Sequence, residues 1–155
     1  MRRQEREIAD HQLIEWLLRK GQVLYLAMCD GEQPYVLPLS YGYDGQNLYI
    51  HSALEGRKLQ VLRRNPRVCF VVEPQRELIA SQTPCNWSFR YRSVIGEGTV
   101  AIVEDLAERA AALHILMRQH GGVGGDYDSA VLARTMVLKV EITSLSGKQA
   151  GYSDG

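Results

Sequence analysis

The stretch QVLYLAMCDGEQPYVLPLSYGYDGQNLYIHSA, residues 22–53, decides the fold. Three apolar runs are separated by Asp30-Gly31 and Asp44-Gly45, dipeptides that turn a chain back on itself. Runs of that length, joined that tightly, pair as consecutive antiparallel strands: 22–29 with 34–43, then 46–53. Pro38 sits inside the second run, and its missing N–H confines that strand to a sheet edge or a bulge.

Upstream of this meander, Asp10 is placed to cap a helix running to Lys20, with Ile14, Leu17 and Leu18 on one face and Gly21 as its stop. Residues 1–9 form a charged arm, free or wrapped on a partner. Downstream, Gly56 to Arg64 reads as a helix with Leu59 and Leu62 as its apolar contacts, closed by Asn65-Pro66. VCFVVE (68–73) is a fourth strand, the polar stretch 74–87 a long loop, and 91–103 a fifth strand. Residues 104–120 predict an amphipathic helix with Leu106, Ala110, Leu113 and Met117 as its stripe. After the connector GGVGG, residues 135–145 alternate as a sixth strand, Leu138, Val140 and Ile142 facing inward. Six strands joined mostly by hairpins, with a few helices inserted, predict a mainly β, antiparallel barrel.

The 155 residues suit one domain, taken here as 1–148 with a short tail, 149–155. Lys plus Arg equals Asp plus Glu at 18 each, so no global field recruits nucleic acid or an anionic membrane. The three cysteines are widely spaced and form no CxxC pair, which leaves neither a disulfide framework nor a zinc knuckle. The start, MRRQEREIADH, lacks the apolar core of a secretory signal, and no apolar run is long enough to span a membrane. A cytoplasmic protein is expected. His11, His114 and His120 lack ligand spacing with carboxylates, so no metal site is expected.

The chemistry concentrates in LYIHSALEGRK, residues 48–58. A strand ends in His51-Ser52 and meets a helix start at Gly56-Arg57-Lys58. A helix N-terminus offers unpaired N–H groups and partial positive charge, Gly56 admits close approach, and Arg57 and Lys58 add full charges. Together they suit a phosphate, or they form a solvated basic turn. His51 is either an exposed strand-end histidine or a proton donor facing a ligand. Trp87, Phe89 and Tyr91 alternate along one face, with Arg90 and Arg92 opposite and Ser93 adjacent; they are strand packing or an aromatic wall for a ligand ring. The GEG (96–98) and GGVGG sets do not form GxGxxG, and Walker A, GxSxG and HExxH motifs are absent.

Taken together, LAMCDGEQPYVLPLSYGYD, LYIHSALEGRK, NPRVCFVVE, PCNWSFRYRSVIGEG and the closing SLSGK resemble the nitroimidazole-resistance (Nim) proteins. These belong to the pyridoxamine 5′-phosphate oxidase-like flavoproteins, and the likeness runs from about Met1 to Lys148. The resemblance implies a split β-barrel that dimerises and binds FMN between its subunits. It implies cofactor contacts from His51, Ser52, Ala53, Gly56, Arg57 and Lys58, from the backbone of Val36, Leu37, Pro38 and Leu39, and from Trp87 and Ser93. His51 matches the histidine placed near the reactive ring, a candidate catalytic residue. The implied activity is reduction of a small planar acceptor such as a 5-nitroimidazole. A non-enzymatic flavin, deazaflavin or haem holder or redox sensor on the same barrel stays open. After Gly147 the chain is only KQAGYSDG, without the tryptophan and arginine region of pyridoxamine phosphate oxidases proper, so that oxidase activity is not expected.

Overall fold

The computed structural model describes residues 3–152; Met1, Arg2 and the last three residues lie outside the description. In chain order the elements are β1 (Glu7–Ile8), α1 (His11–Lys20), β2 (Val23–Asp30), β3 (Gln33–Ser40), β4 (Gly42–Tyr43) and β5 (Asn47–Ser52). There follow α2 (Arg57–Arg64), β6 (Arg67–Ile79), β7 (Ser88–Val103), α3 (Leu106–Gln119), α4 (Ser129–Arg134) and β8 (Met136–Ala150). The fold is mainly antiparallel β. The sheet order is β3-β2-β6-β7-β8-β5-β4, with β1 also paired to β8. Eight strands thus stand where the periodicity predicts six; the additions are the two-residue strands β1 and β4.

The two edge strands, β3 and β4, are neighbours in sequence, separated only by Tyr41. The sheet therefore curls until its edges meet, and the seam is closed by the chain itself rather than by a hydrogen-bonded ladder. Tyr41 is fully buried there, and its hydroxyl donates to the Leu18 carbonyl at the end of α1, at 2.5 Å. Burial pushes its phenol well above the usual range, so it stays a neutral donor at any ordinary pH. Gln119 of α3 donates to the same carbonyl at 2.9 Å, tying both helices to the seam. Tyr41→Phe should cost about 1–2 kcal/mol, because Leu18 keeps Gln119 as a partner while the hydroxyl's bond is lost. Urea unfolding of the pair of proteins checks it.

Inside the barrel, alternate residues of β2, β5, β6 and β8 interdigitate: Leu24, Leu26, Leu48, Ile50, Phe70, Val72, Leu138 and Val140 are all buried. α1 covers one end through Ile14, Leu17 and Leu18, its N-terminus capped by Asp10 accepting from the Gln12 N–H. α2 closes the other flank with Leu59, Val61 and Leu62.

Four expectations need correction. The expected loop from Pro74 to Trp87 is strand as far as Ile79. β6 crosses Pro74 through an irregularity between Val72 and Gln75, where the ladder does not require the missing N–H. The predicted stripe of α3 is rotated: Ala112 and Leu116 are buried, while Leu106 and Met117 are exposed. This helix packs on β4 and β5 near its C-terminal half, so its contact row follows those strands and not the widest apolar arc. α4 is missed by periodicity because it is too short to show a period; its signal is Asp128, which caps it through the Ala130 N–H. Finally, the charged arm is not free, since Glu7 and Ile8 pair with Lys148 and Gly147 of β8 and Ile8 is buried.

Candidate functional site

α2 begins without a side-chain cap. Its N-cap is Gly56 at φ +133°, a conformation open to glycine, with no atom within 4 Å of where a Cβ would lie. No acidic residue occupies the first turn. Lys58 in that turn is partly buried, has no acidic partner among the described residues, and its ammonium is held below the usual lysine range by desolvation. A half-buried cation beside uncapped N–H groups is an arrangement an anion completes.

Arg57, one residue earlier, is engaged. Its Nε donates to Asp30 Oδ2 at 3.1 Å, and the guanidinium lies 4.4 Å from the Tyr35 ring centre. Arg64, two turns along α2, donates to the other oxygen of Asp30 at 3.0 Å. Asp30 and Tyr35 were not read as site residues from the sequence. Asp30-Gly31 carries only a turn signal, and nothing in the spacing announces that this turn meets α2.

His51 is exposed at the end of β5, and Ser52 beside it is partly buried. His51 opens onto a cavity of about 350 Å³ that it shares with Ser40 at the end of β3. Leu113, Leu116, Met117 and His120 of α3 and its C-cap form the facing wall, with Tyr127 of the connector. The lining is almost wholly apolar apart from the two imidazoles, Ser40 and Tyr127. The Tyr127 hydroxyl is buried and has no hydrogen-bond partner among the described residues, while its ring meets His114 edge-on with centres 5.1 Å apart. The wall mixes buried Leu116 and part-buried Leu113 with exposed Met117 and His120, so no single face of α3 read from the sequence marks it.

β3 runs between these two features. Tyr35 meets Arg57 and Ser40 meets His51, so the strand 36–39 spans the distance from the basic corner to the cavity. Val36 and Pro38 are exposed, whereas Leu37 and Leu39 turn inward onto the core, leaving only their backbone for a ligand. As the edge strand, β3 offers unpaired N–H and C=O groups along one side, and Pro38 occupies such an edge as expected. Ala53 and Gly56 are exposed in the turn that joins His51 to α2.

Ser93 and Trp87 are not part of this grouping within one chain. His51 pairs with Val137, which pairs with Val103 of β7. Ser93 lies ten residues back along β7, roughly 30 Å away at the rise of a strand. Trp87 lies beyond it in the loop before β7, where its indole N–H donates to the Ser81 carbonyl at 2.6 Å. The arm formed by β6 and β7 leaves Leu78, Phe89 and Trp87 each about half exposed. On the opposite face, Arg92 lies 4.0 Å from the Tyr152 ring centre, pinning the C-terminal segment.

Comparison with known proteins agrees with the fold. Residues 10–149 match the family model for pyridoxamine 5′-phosphate oxidase. The structure of a candidate 5-nitroimidazole antibiotic resistance protein from Bacteroides thetaiotaomicron superposes with a TM-score of 0.83 at 32% identity, covering 92% of this chain and 86% of that one. The FAD and haem binding protein of Mycobacterium smegmatis shares the fold, with a TM-score of 0.79 at 21% identity over 97% of this chain and 77% of that one. An uncharacterised Rhizobium meliloti protein is 40% identical over 48 residues, a match spanning 31% of each chain.

Proposed function

Because this chain belongs to the pyridoxamine 5′-phosphate oxidase family, with a Nim-like protein among its relatives, we propose that it is an FMN-dependent reductase of small planar acceptors. The observation that carries this reading is the corner at α2: an uncapped helix start, a glycine no side chain could replace, and the partnerless, part-buried ammonium of Lys58. A phosphate monoester, dianionic at neutral pH, supplies the missing charge and acceptors. Lys58, Arg57 and the N–H groups after Gly56 hold the phosphate. The edge backbone of Val36 to Leu39 would contact the cofactor's ring system, and His51 and Ser52 would contact the cofactor between the two.

Bound there, a flavin supplies the electron transfer, which no side chain of this protein can perform. The protein contributes position and protons. The acceptor occupies the cavity beside His51, whose volume lies at the small end of ligand pockets and suits a single heterocycle. Its apolar walls exclude water, and the His51 imidazole delivers a proton to the reduced acceptor. The acceptor we propose is a nitro group on a 5-nitroimidazole-like ring.

The site is completed by a second copy. Ser93 and Trp87 lie too far along β7 to reach the same cofactor as His51 from one chain, and an apolar outer sheet face carries Val23, Tyr25, Val36 and Ile95 exposed. A homodimer with FMN at the interface brings both groups together. The described residues contain no helix long and apolar enough to cross a membrane.

The anaerobic reduction of a 5-nitroimidazole by the FMN-loaded protein, with dithionite-reduced flavin as the electron source, tests this reading. With His51→Ala, the flavin should stay bound while the rate falls roughly 10²–10⁴-fold, the usual contribution of a positioned proton donor. A wild-type protein that is colourless and ignores added FMN sinks the proposal; a Soret band in its place would favour the haem-holding alternative.

A further inference from the structure

The geometry points to Asp30 and Tyr35 as a clamp that presents Arg57 to the cofactor phosphate, an inference that rests on the flavin reading above. Both residues come from the β2–β3 hairpin, where Asp30 pairs with Gln33 and Tyr35 with Met28. The hairpin is therefore the reference frame against which the guanidinium is set.

Arg57 has a planar fork of five N–H donors. The clamp uses one edge and one face of it: Nε binds Asp30 at 3.1 Å, and the Tyr35 ring lies 4.4 Å beneath. Its terminal NH1 and NH2 groups are bound to nothing among the described residues, so the part of the fork that suits a phosphate bidentately is left available. Arg64 takes the second oxygen of Asp30 at 3.0 Å, and its own Nε donates to the Gln60 carbonyl at 3.2 Å, fixing the carboxylate from behind. The arrangement is an aimed side chain with a supported partner, in the way outer ligands orient a metal-binding histidine.

Two other roles for Asp30 fit less well. Ion pairs with half-exposed arginines add little to stability, so the pair is a poor device for holding the fold. A competitor that blocks the site would neutralise it, yet Asp30 is shared between Arg57 and Arg64, and with Lys58 in the same turn of α2 the cations outnumber it. Exposed Glu55, in the turn before α2, forms no ion pair. The clamp costs the corner one charge and supplies orientation.

The test separates these roles by their signs. Asp30→Asn removes a negative charge from an anion site, so electrostatics alone, or release of a competitor, would tighten FMN. Loss of the clamp instead frees a long side chain that must be ordered again on binding, weakening FMN about tenfold. Riboflavin carries the same ring and chain but no phosphate, so its affinity should not change. Both flavins are titrated by fluorescence against wild type, Asp30→Asn and Tyr35→Leu, with thermal unfolding of each. A weakened FMN affinity with unchanged riboflavin affinity supports the clamp. Unchanged or tighter FMN binding overturns it, and so does an equal loss for both flavins, which would mean general damage. If Asp30→Asn fails to fold, Tyr35→Leu decides by the same pattern. Wild-type protein that binds neither flavin removes the flavin reading itself, whereas wild-type binding with an indifferent Asp30→Asn removes only the clamp.

Discussion

Replacing Arg57 and Lys58 together by alanine should yield a folded protein that purifies without colour. Each side chain is expected to give the phosphate a charge-assisted hydrogen bond, about 1.5–3 kcal/mol apiece. Losing both therefore weakens FMN by roughly 10²–10⁴-fold. The fold should not suffer, because neither side chain enters the core: Arg57 is exposed and Lys58 only partly covered, while Leu59, Val61 and Leu62 anchor α2. Removing Lys58 should even relieve a cation that desolvation disfavours. The absorption spectrum of the purified variant and an FMN titration give the result, with circular dichroism as the control for folding. Wild-type flavin content in the double variant would place the phosphate elsewhere. The single variants are also informative, since the clamp by Asp30 and Tyr35 implies that Arg57 arrives pre-aimed and Lys58 does not.

The largest effect on stability should come from Phe70→Ala. Phe70 is fully buried at the middle of the sheet, between Leu26 of β2 and Gly96 of β7. Gly96 has no side chain for a reason: a Cβ there would overlap the Phe70 ring and press on Leu145. The ring fills two positions at once, so truncating it opens a cavity that neither neighbour can collapse into. The expected loss is about 3–5 kcal/mol, or roughly 6–20 °C in melting temperature for a chain of this size. Gly96→Ala alone should destabilise by about 1–3 kcal/mol through overpacking. In the Phe70→Ala background the same substitution has room, and the double variant should be more stable than the sum of the two losses implies. Additive losses would show that the ring and the glycine do not share one space. Thermal or denaturant unfolding of the four proteins completes the cycle.

How much of this was legible beforehand depends on the range over which each signal acts. α1 and the β2–β3 hairpin follow from local patterns: Asp10 caps, Gly21 stops and Asp30-Gly31 turns, whereas the inward alternation of Leu24, Leu26 and Met28 is hidden in a run apolar on both faces. The basic corner was legible for the same reason, since Gly56, Arg57 and Lys58 are consecutive. What could not be read was which distant residues meet there. Asp30 and Arg57 are 27 residues apart, and the cavity beside His51 is walled by α3, whose contacts are set by packing on β4 and β5. Pro74 misled because a proline usually ends a strand, and here an irregularity in the ladder accommodates it. Of the aromatic alternation from Trp87 to Tyr91, Phe89 and Tyr91 lie in β7 while Trp87 precedes it, and the separation from His51 emerges only from the register of β7 against β8. Sequence reasoning singled out Arg57 and Lys58 and missed Asp30 and Tyr35, which contact Arg57.

One consequence concerns synthesis. β8, the last of the described elements, pairs with β1, β5 and β7 and lies inside the sheet order, not at its margin. A nascent chain can form the β2–β3 hairpin and the β6–β7 arm on the ribosome, but β5 and β7 have nothing to join them until residues 136–150 emerge. Until that stretch emerges, the polypeptide is a half-built sheet with two bare edges, a state open to association with other chains. Truncation within β8 should therefore give an aggregating product and not a smaller barrel.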